Sequence, residues 1–463
     1  MFHNWVDANA YFTVGKGIFQ GIVPYKDLFD HKGPLLYFFN GLGSLISYKT
    51  FYGVFLIQGL SLAITLYYAY KTAEFHLKKS SAIWVVLILP IFLLFSRYYR
   101  SDCPEEFVWP FLSISFYHFT SFFVNSTNHK YSPRMMLWHG LAFGCIIMLK
   151  FNLIGFWVGG VSVVLLKFIL DKEYAKFLSN ILMFLLGCFL ALFPYLLYAI
   201  ITHSLQEAIN TYIYFNLLYA RDAGGASSGV LKTLYSVLRS NRYVVLFIFI
   251  GFWYLVKKEN NITKMGKWAV ILSFILGLLC IYGGGWKYEY YFIPFSFFSL
   301  YGIIALFRVT PAISLDKRRT IILVSAIVIA VPFGNGVQNH KDIFRLTGSE
   351  TVQQSFAKLI NQEKNATLFC YNIMDQGFYN AAGIIPNERY FYMPHISGNA
   401  YPVIYESQLQ AVKSKKAMFI ITIASPENEK LLADDYVSIA KKSQKHFDNN
   451  RIELFELFKL KDS

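Results

Sequence analysis

Charge is what this chain of 463 residues has least of, with 15% Asp, Glu, Lys and Arg together. A soluble protein needs roughly a quarter of its residues charged, so this composition excludes a chain that is soluble throughout. Cysteine is also scarce, five in all. Cys145, Cys188 and Cys280 fall within apolar runs and read as small apolar side chains. Cys103 and Cys370 leave a disulfide open but have no spacing that argues for one. Internal repeats and low-complexity stretches are missing as well.

What the chain does have is apolar length. Hydrophobic residues make up 55% and aromatic residues 19%, grouped in runs near twenty residues long, the signature of membrane-spanning helices. The runs are Phe51–Tyr70, Ala82–Phe95, Phe107–Val124, Leu137–Lys150, Leu153–Leu170, Asn180–Ile201, Tyr243–Val256, Trp268–Tyr282, Tyr290–Phe307 and Thr320–Gly334. Ala82–Phe95 and Leu137–Lys150 are short for a crossing, which thinner bilayer or flanking residues would complete.

The net charge of +15 is not gathered into a nucleic-acid-binding block. It sits in alternate connections: Lys71, Lys78 and Lys79; Lys130 and Arg134; Lys167, Lys172 and Lys176; Lys257, Lys258, Lys264 and Lys267; Arg308, Lys317, Arg318 and Arg319. The positive-inside rule makes these cytoplasmic. Residues 1–50 and everything after Gly334 are then expected outside. An outer start at Met1 points to a further transmembrane helix upstream; insertion of Phe51–Tyr70 as a reverse anchor is the other option.

The expected fold is an α-helical polytopic bundle with a small outer α/β domain. Residues 1–50 form an outer loop with juxtamembrane helices, 51–335 a bundle of about ten helices, and 336–463 the soluble domain. In the first region Asp7, Tyr11, Val14 and Ile18 share one helical face, and Gly21-Ile22-Val23-Pro24 breaks it. Pro34 is placed to open the next helix, Leu35–Ser47. In the tail, Ala366–Tyr371 and Ala417–Ile423 read as two central strands. Val352–Gln362 reads as a helix before them and Ile452–Lys459 as a closing strand. Thr202 to Arg242 reads as a long outer loop.

Outside the tail, the dense polar clusters fall on the expected outer side. They are Asp7 with Asp27, Asp30, His31 and Lys32; Arg97, Arg100, Asp102, Glu105 and Glu106; Gly283 to Tyr291; and Arg221-Asp222 before Gly224-Gly225. A bundle could bring them to one outer cavity. Carboxylates there can deprotonate an attacking hydroxyl, and cations can hold a phosphate as its charge grows. Interfacial Tyr and Trp suit lipid headgroups and sugar rings. The set fits a reaction whose leaving group is a lipid-linked phosphate.

Three stretches, Asp7-Ala8-Asn9-Ala10-Tyr11, Gly21-Ile22-Val23-Pro24-Tyr25 and Asp30-His31-Lys32-Gly33-Pro34-Leu35, resemble the first outer loop of bacterial GT-C glycosyltransferases, in the protein mannosyltransferase and aminoarabinose transferase branch. The resemblance implies a many-helix bundle and an inverting transfer from a polyprenyl-phosphate sugar. It implies that Asp7 is the general base and that Lys32 contacts the donor. It implies that Lys287, Tyr288 and Tyr291 bind the donor phosphate. This chain departs from many members in having Asp7-Ala8 where they have Asp-Glu, and Glu105 or Glu106 is a candidate to take over that role.

Each residue also has a plainer reading. Asp7 could be a solvated residue at a helix start, and Asp27 and Asp30 turn residues. His31 lacks the partner spacing of a metal ligand. Glu105 and Glu106, after Pro104, suit a helix N-terminus. Arg97 and Arg100 could be interfacial anchors, although the positive-inside rule leans them toward phosphate binding, and Lys150 reads as an anchor. Gly283 to Gly285 is a turn signal. The leading expectation is a glycosyltransferase of the plasma membrane acting on the outer face. Its partners would be a polyprenyl-phosphate-linked sugar, membrane lipid, and an envelope glycan, glycolipid or protein acceptor, with no nucleic acid. No cofactor is indicated, and a divalent metal is left open. The alternatives are a secondary transporter or lipid-linked-sugar flippase, for which charge at mid-bilayer would be expected, and a structural envelope subunit.

Overall fold

A computed structural model describes residues 3, 5–94, 102–124, 132–222, 229–283, 288–309, 350–445 and 452–461, with a few positions between 316 and 330. The protein is a helical, multi-pass membrane protein with a small sheet near its C-terminus. In chain order the helices are α1 Val6–Ile18, α2 Pro34–Ile46, α3 Tyr52–Ala73, α4 Lys79–Leu94, α5 Pro104–Phe107, α6 Trp109–Phe123, α7 Arg134–Leu149 and α8 Gly155–Leu170. They continue with α9 Tyr174–Ile201, α10 Leu205–Ala208, α11 Asn216–Asp222, α12 Val230–Ser240, α13 Arg242–Lys257, α14 Lys264–Tyr282 and α15 Ser299–Val309.

Of the ten expected spans, five coincide with helices long and apolar enough to cross a bilayer alone: Tyr52–Ala73, Phe151–Leu170, Tyr174–Ile201, Lys264–Tyr282 and Tyr290–Val309. Four coincide with α4, α6, α7 and α13, which have 16, 15, 16 and 16 residues. The last, Thr320–Gly334, lies largely outside the described residues. The stretch expected as a long loop after Thr202 is instead mostly helical, with a π-helical segment, Ile209–Phe215, between α10 and α11.

The chain forms two compact units. One comprises Gln58–Leu197 and Gly225–Gly336. Its helices α8 and α14 touch backbone to backbone, because a Cβ on Gly155 would lie 2.4 Å from the Leu276 carbonyl oxygen and one on Gly159 2.5 Å from the Leu272 carbonyl carbon. The interior is aromatic. Phe298 meets Phe116 at 5.0 Å and Phe274 at 5.1 Å, edge to face, the arrangement ring quadrupoles favour. On α9, by contrast, Leu182, Leu185, Phe189 and Phe193 are exposed, as suits a face against lipid. Before α15 the chain runs through a 3-10 helix, Glu289–Phe298, containing Pro294. Pro294 brings no backbone N–H to this turn, and the carbonyl of Ile293 accepts from the Trp109 indole at 3.2 Å.

The second unit comprises Met1–Ile57, Tyr198–Gly224 and Val337–Ser463. Here α1 starts because Asn9 folds back over its own N-terminus: its side chain accepts from the His3 amide (2.8 Å) and donates to the carbonyls of His3 (2.7 Å) and Trp5 (3.2 Å). Pro34 opens α2, as its position in the sequence suggests. The tail carries β1 Leu368–Cys370, β2 Phe419–Ile423, β3 Tyr436–Lys445 and β4 Ile452–Leu460, in sheet order β1-β2-β4-β3. Strand β1 is parallel to β2 while β4 is antiparallel to both β2 and β3. The helices here are α16 Val352–Ile360, α17 Phe378–Ala382, α18 Pro402–Lys413 and α19 Pro426–Leu432. The central strands are thus β2 and β4, and β1, expected at the centre, lies at an edge. Phe369, Ile420, Leu432, Tyr436 and Phe458 form the core beneath the sheet.

Replacing both Gly155 and Gly159 by alanine is expected to push α8 from α14 at a cost of about 1–3 kcal/mol per site. A thermal melt of the detergent-solubilised double variant should fall below that of the wild type, and an unchanged melt would refute the close approach.

Candidate active site

Asp7 lies in the first turn of α1 and Lys32 lies in the loop between α1 and α2. Their side chains meet, with Lys32 Nζ 3.9 Å from Asp7 Oδ2. The Tyr11 hydroxyl, one turn along α1, donates to the same carboxylate oxygen at 3.3 Å, and its ring lies 5.6 Å from the ammonium. Asp7 keeps 21% of its side chain exposed. The expected carboxylate and cation are therefore brought together, with access to the carboxylate.

The neighbours of Lys32 fix its direction. Its ammonium lies 2.9 Å from His31 Nε2; since a lysine ammonium has only protons to give, Nε2 accepts and the imidazole proton sits on Nδ1. That nitrogen faces Asp30 Oδ1 at 3.5 Å. The Lys32 carbonyl accepts from the hydroxyls of Tyr25 (2.6 Å) and Tyr37 (3.0 Å). The His31 carbonyl accepts from Asn216 Nδ2 at 2.7 Å, and the imidazole stacks obliquely against Phe215 and Tyr219.

Asp30 is buried. Its Oδ1 accepts from the His31 amide at 2.8 Å and from the Tyr392 hydroxyl at 2.8 Å. Burial pushes the Asp30 carboxyl above the usual range, against the pull of Lys32 and of the Tyr392 hydroxyl. Asp27 does a different job. It accepts from the Val23 amide at 2.7 Å and its own amide donates to the Val23 carbonyl, closing a turn. Further along α1, the Thr13 hydroxyl donates to Asp375 Oδ2 and Lys16 Nζ to Asn380 Oδ1, both at 2.9 Å. Burial lifts the Asp375 carboxyl to about 6 and lowers the Lys16 ammonium to about 8.

The other unit holds a second polar cluster. Glu105 is fully buried and pairs with Lys150, whose Nζ is 2.5 Å from Oε1. The same ammonium sits 3.4 Å from the centre of the Tyr291 ring, a cation–π contact. Glu106 accepts from Gln58 Nε2 at 2.8 Å and from the Asp102 amide at 3.1 Å. Asp102 adopts φ +62°, in the left-handed region. Both glutamates lie in the first turn of α5 behind Pro104, as the helix-terminus reading expects, and have these side-chain partners in addition. Tyr288 packs edge-on to Tyr291 at 5.4 Å. Lys150, read from sequence as an anchor, is instead the partner of a buried acid. Arg97, Arg100 and Lys287 lie outside the described residues, as do the side chains of Arg221 and Asp222. Cys103 and Cys370 are both free and buried. Among the described residues no group of three or more His, Cys, Asp or Glu is placed to hold a metal.

Sequence reasoning missed Thr13, Lys16, Asn216, Asp375, Asn380 and Tyr392 in the first cluster. Single hydroxyls and amides hundreds of positions apart leave no local pattern. A lysine within an otherwise apolar helical face, Lys16, was the one available signal.

Two tests follow from this geometry. Lys150→Met would strand a buried carboxylate and cost about 3–5 kcal/mol, whereas adding Glu105→Gln should restore most of the melting temperature; equal damage in single and double variants would deny the pairing. Asp375 titrates higher in the folded chain, about 6, than its ordinary 3.8. A raised carboxyl gives stability that is complete below the unfolded value and is lost as pH climbs through the folded one. Alkylation of buried Cys370 should therefore accelerate in the wild type between pH about 4 and 6, by up to ~3 kcal/mol of opening free energy, after correction for thiolate chemistry. Asp375→Asn should flatten that trend, and parallel profiles would refute the assignment.

Residues 31–198 match the family model described as dolichyl-phosphate-mannose-protein mannosyltransferase. That segment contains Lys32, Glu105 and Lys150 but not Asp7. No curated protein sequence matches the chain. Among solved structures, the fold is similar to that of ArnT from Cupriavidus metallidurans bound to undecaprenyl phosphate, with a TM-score of 0.66 and 12% identity over 97% of this chain and 93% of that one. The apo form of the same protein gives a TM-score of 0.64 with the same identity and coverage. The chain thus has an ArnT-like fold, and its residues 31–198 are similar to the mannosyltransferase family.

Proposed function

We propose that this protein is an inverting glycosyltransferase that moves a sugar from a polyprenyl-phosphate donor to a hydroxyl of a cell-envelope acceptor on the outer face of the membrane. The observation that carries the reading is the partly exposed Asp7 carboxylate held 3.9 Å from the Lys32 ammonium. The ArnT structure with undecaprenyl phosphate bound supports the donor class, and the alternating charge of the connections supports the outer face.

In the reaction, Asp7 accepts the proton of the acceptor hydroxyl. The freed oxygen attacks the anomeric carbon from the face opposite the phosphate, and the bond from that carbon to the phosphate oxygen breaks. The electron pair leaves with the polyprenyl phosphate, and the anomeric centre inverts. Lys32 supplies positive charge where the phosphate departs; the imidazole that accepts from it at 2.9 Å orients the ammonium without neutralising it. Lys287, Tyr288 and Tyr291 are assigned to the donor phosphate on the family resemblance, and Arg97 and Arg100 because the positive-inside rule disfavours cations on the outer side unless they have such a role. Asp102, Glu105 and Glu106 are assigned a supporting role, with Glu105 neutralised by Lys150. The residues 336–463 act as an outer domain, and a bundle of about ten helices carries the lipid-facing surface.

Asp7→Asn keeps the shape of the side chain and removes its basicity. The variant should insert and fold normally while kcat falls roughly 10²- to 10⁴-fold. Transfer assayed with purified protein in lipid nanodiscs, alongside mass analysis of envelope glycans from cells with and without the gene, would read both activity and product. Full transfer by Asp7→Asn would sink the assignment.

A further inference from the structure

We propose that the segment from Asp375 to Tyr392 is a positioning element for the first loop, fixing Asp7 and Lys32 against each other by gripping both stretches that carry them. The inference rests on the glycosyltransferase reading for its consequence, but not for its geometry. On the α1 side, Thr13 and Lys16 bond to Asp375 and Asn380, all four side chains being buried. Asp375 is itself held, because its Oδ1 accepts from the Gly377 amide at 2.9 Å. Gly377 has φ +87°, which lets the chain turn back over the carboxylate. Thr13 is six residues from Asp7 along one continuous helix, a rise of about 9 Å, so the grip is passed on rigidly.

On the loop side, the Phe29 amide donates to the Arg389 carbonyl at 2.8 Å, the Phe29 ring packs 5.0 Å from that of Tyr390, and Tyr392 donates to Asp30. Burial holds the Tyr392 phenol well above its usual range, so it stays a donor. Asp30 then takes the His31 amide, which sets the backbone on which Lys32 stands. Two arms of the chain, one ending at Asp7 and the other at Lys32, therefore converge on one stretch of the C-terminal region. A domain that merely capped the protein would have no need to hold both arms with buried hydrogen bonds.

The test uses the full chain in nanodiscs, with Tyr392→Phe, Thr13→Val, Asp30→Asn, and the Tyr392→Phe/Asp30→Asn pair. Hydrogen exchange of residues 25–33 should accelerate roughly tenfold or more in Tyr392→Phe, as loss of a hydrogen bond to a charged group implies. In the same variant kcat should fall roughly ten- to a hundredfold, with the donor KM within about twofold, since uniform loss of binding is not what misplacement causes. The double variant should be no worse than Asp30→Asn alone, because the tyrosine acts through that carboxylate. Thr13→Val should slow turnover in the same way from the other arm. Unchanged exchange in 25–33 for Tyr392→Phe, or losses that multiply in the double variant, would overturn the proposal. Faster exchange together with a wild-type protein that transfers no sugar would uphold the grip and reject the glycosyltransferase reading.

Discussion

The loop between α1 and α2 has no helix or strand to satisfy its backbone, and the buried Asp30 carboxylate ties it to the C-terminal region by accepting from both the His31 amide and Tyr392. Buried amides must find partners, and here each partner is specific. Tyr25 donates to the Leu28 carbonyl, Asp27 to Val23, Phe29 to Arg389, His31 to the Asp30 side chain, and Lys32 to the Tyr37 hydroxyl. Tyr25 sits at φ +68°, a conformation that costs a non-glycine residue of order 1 kcal/mol or more. Its hydroxyl bond to the Lys32 carbonyl helps hold it there. Hydrogen bonds to an ionised group are worth about 1.5–3 kcal/mol each, which is the scale needed to keep such a loop in one shape.

The sequence made the lipid-facing architecture legible because the bilayer leaves few solutions. A long run such as Asn180 to Ile201 can satisfy its backbone only as a helix, and helix α9 runs through it. Turn chemistry was equally readable. Gly21 adopts φ +83° just after α1, and Pro34 opens α2. Strand β3 was not readable: Tyr436 to Lys445 carries Lys441, Lys442 and Lys445 at the sheet edge, where lysines discourage further pairing and also hide the apolar alternation. The centre of the sheet was misplaced because Leu368–Cys370 is as apolar as a central strand. All three of its residues are buried, covered by the helices rather than by a strand on each side.

Within the candidate site, Asp7 and Lys32 were legible through the motif they belong to, while the residues that hold them were not. Tyr392 meets Asp30 across 362 positions and Lys16 meets Asn380 across 364. No periodicity links such pairs; each is defined by folding alone. Lys150 illustrates the opposite failure. A cation at the end of an apolar run has a ready explanation as an interfacial anchor, and that explanation hides the buried Glu105 it neutralises. Burying either charge alone would cost several kcal/mol, so the two residues act as one feature that a reading of single positions divides.

Three carboxylates of the unit that holds Asp7 show how surroundings divide labour among identical groups. Asp375 receives Thr13 and the Gly377 amide and is buried. Asp30 receives Tyr392 and the His31 amide and is also buried. Asp7 receives the Tyr11 hydroxyl and keeps a fifth of its side chain exposed. A general base must reach the hydroxyl it deprotonates and must then release the proton. The buried pair can do neither without opening the structure, and their raised affinity for protons reflects burial rather than readiness to exchange them. Asp7 can do both. The Tyr11 hydroxyl donates to it at a long 3.3 Å and its cation stands off at 3.9 Å, so an incoming hydroxyl displaces little from these two. The same fold thus spends two acids on holding the backbone still and leaves the third loosely held, which is the condition under which a carboxylate can serve as a base.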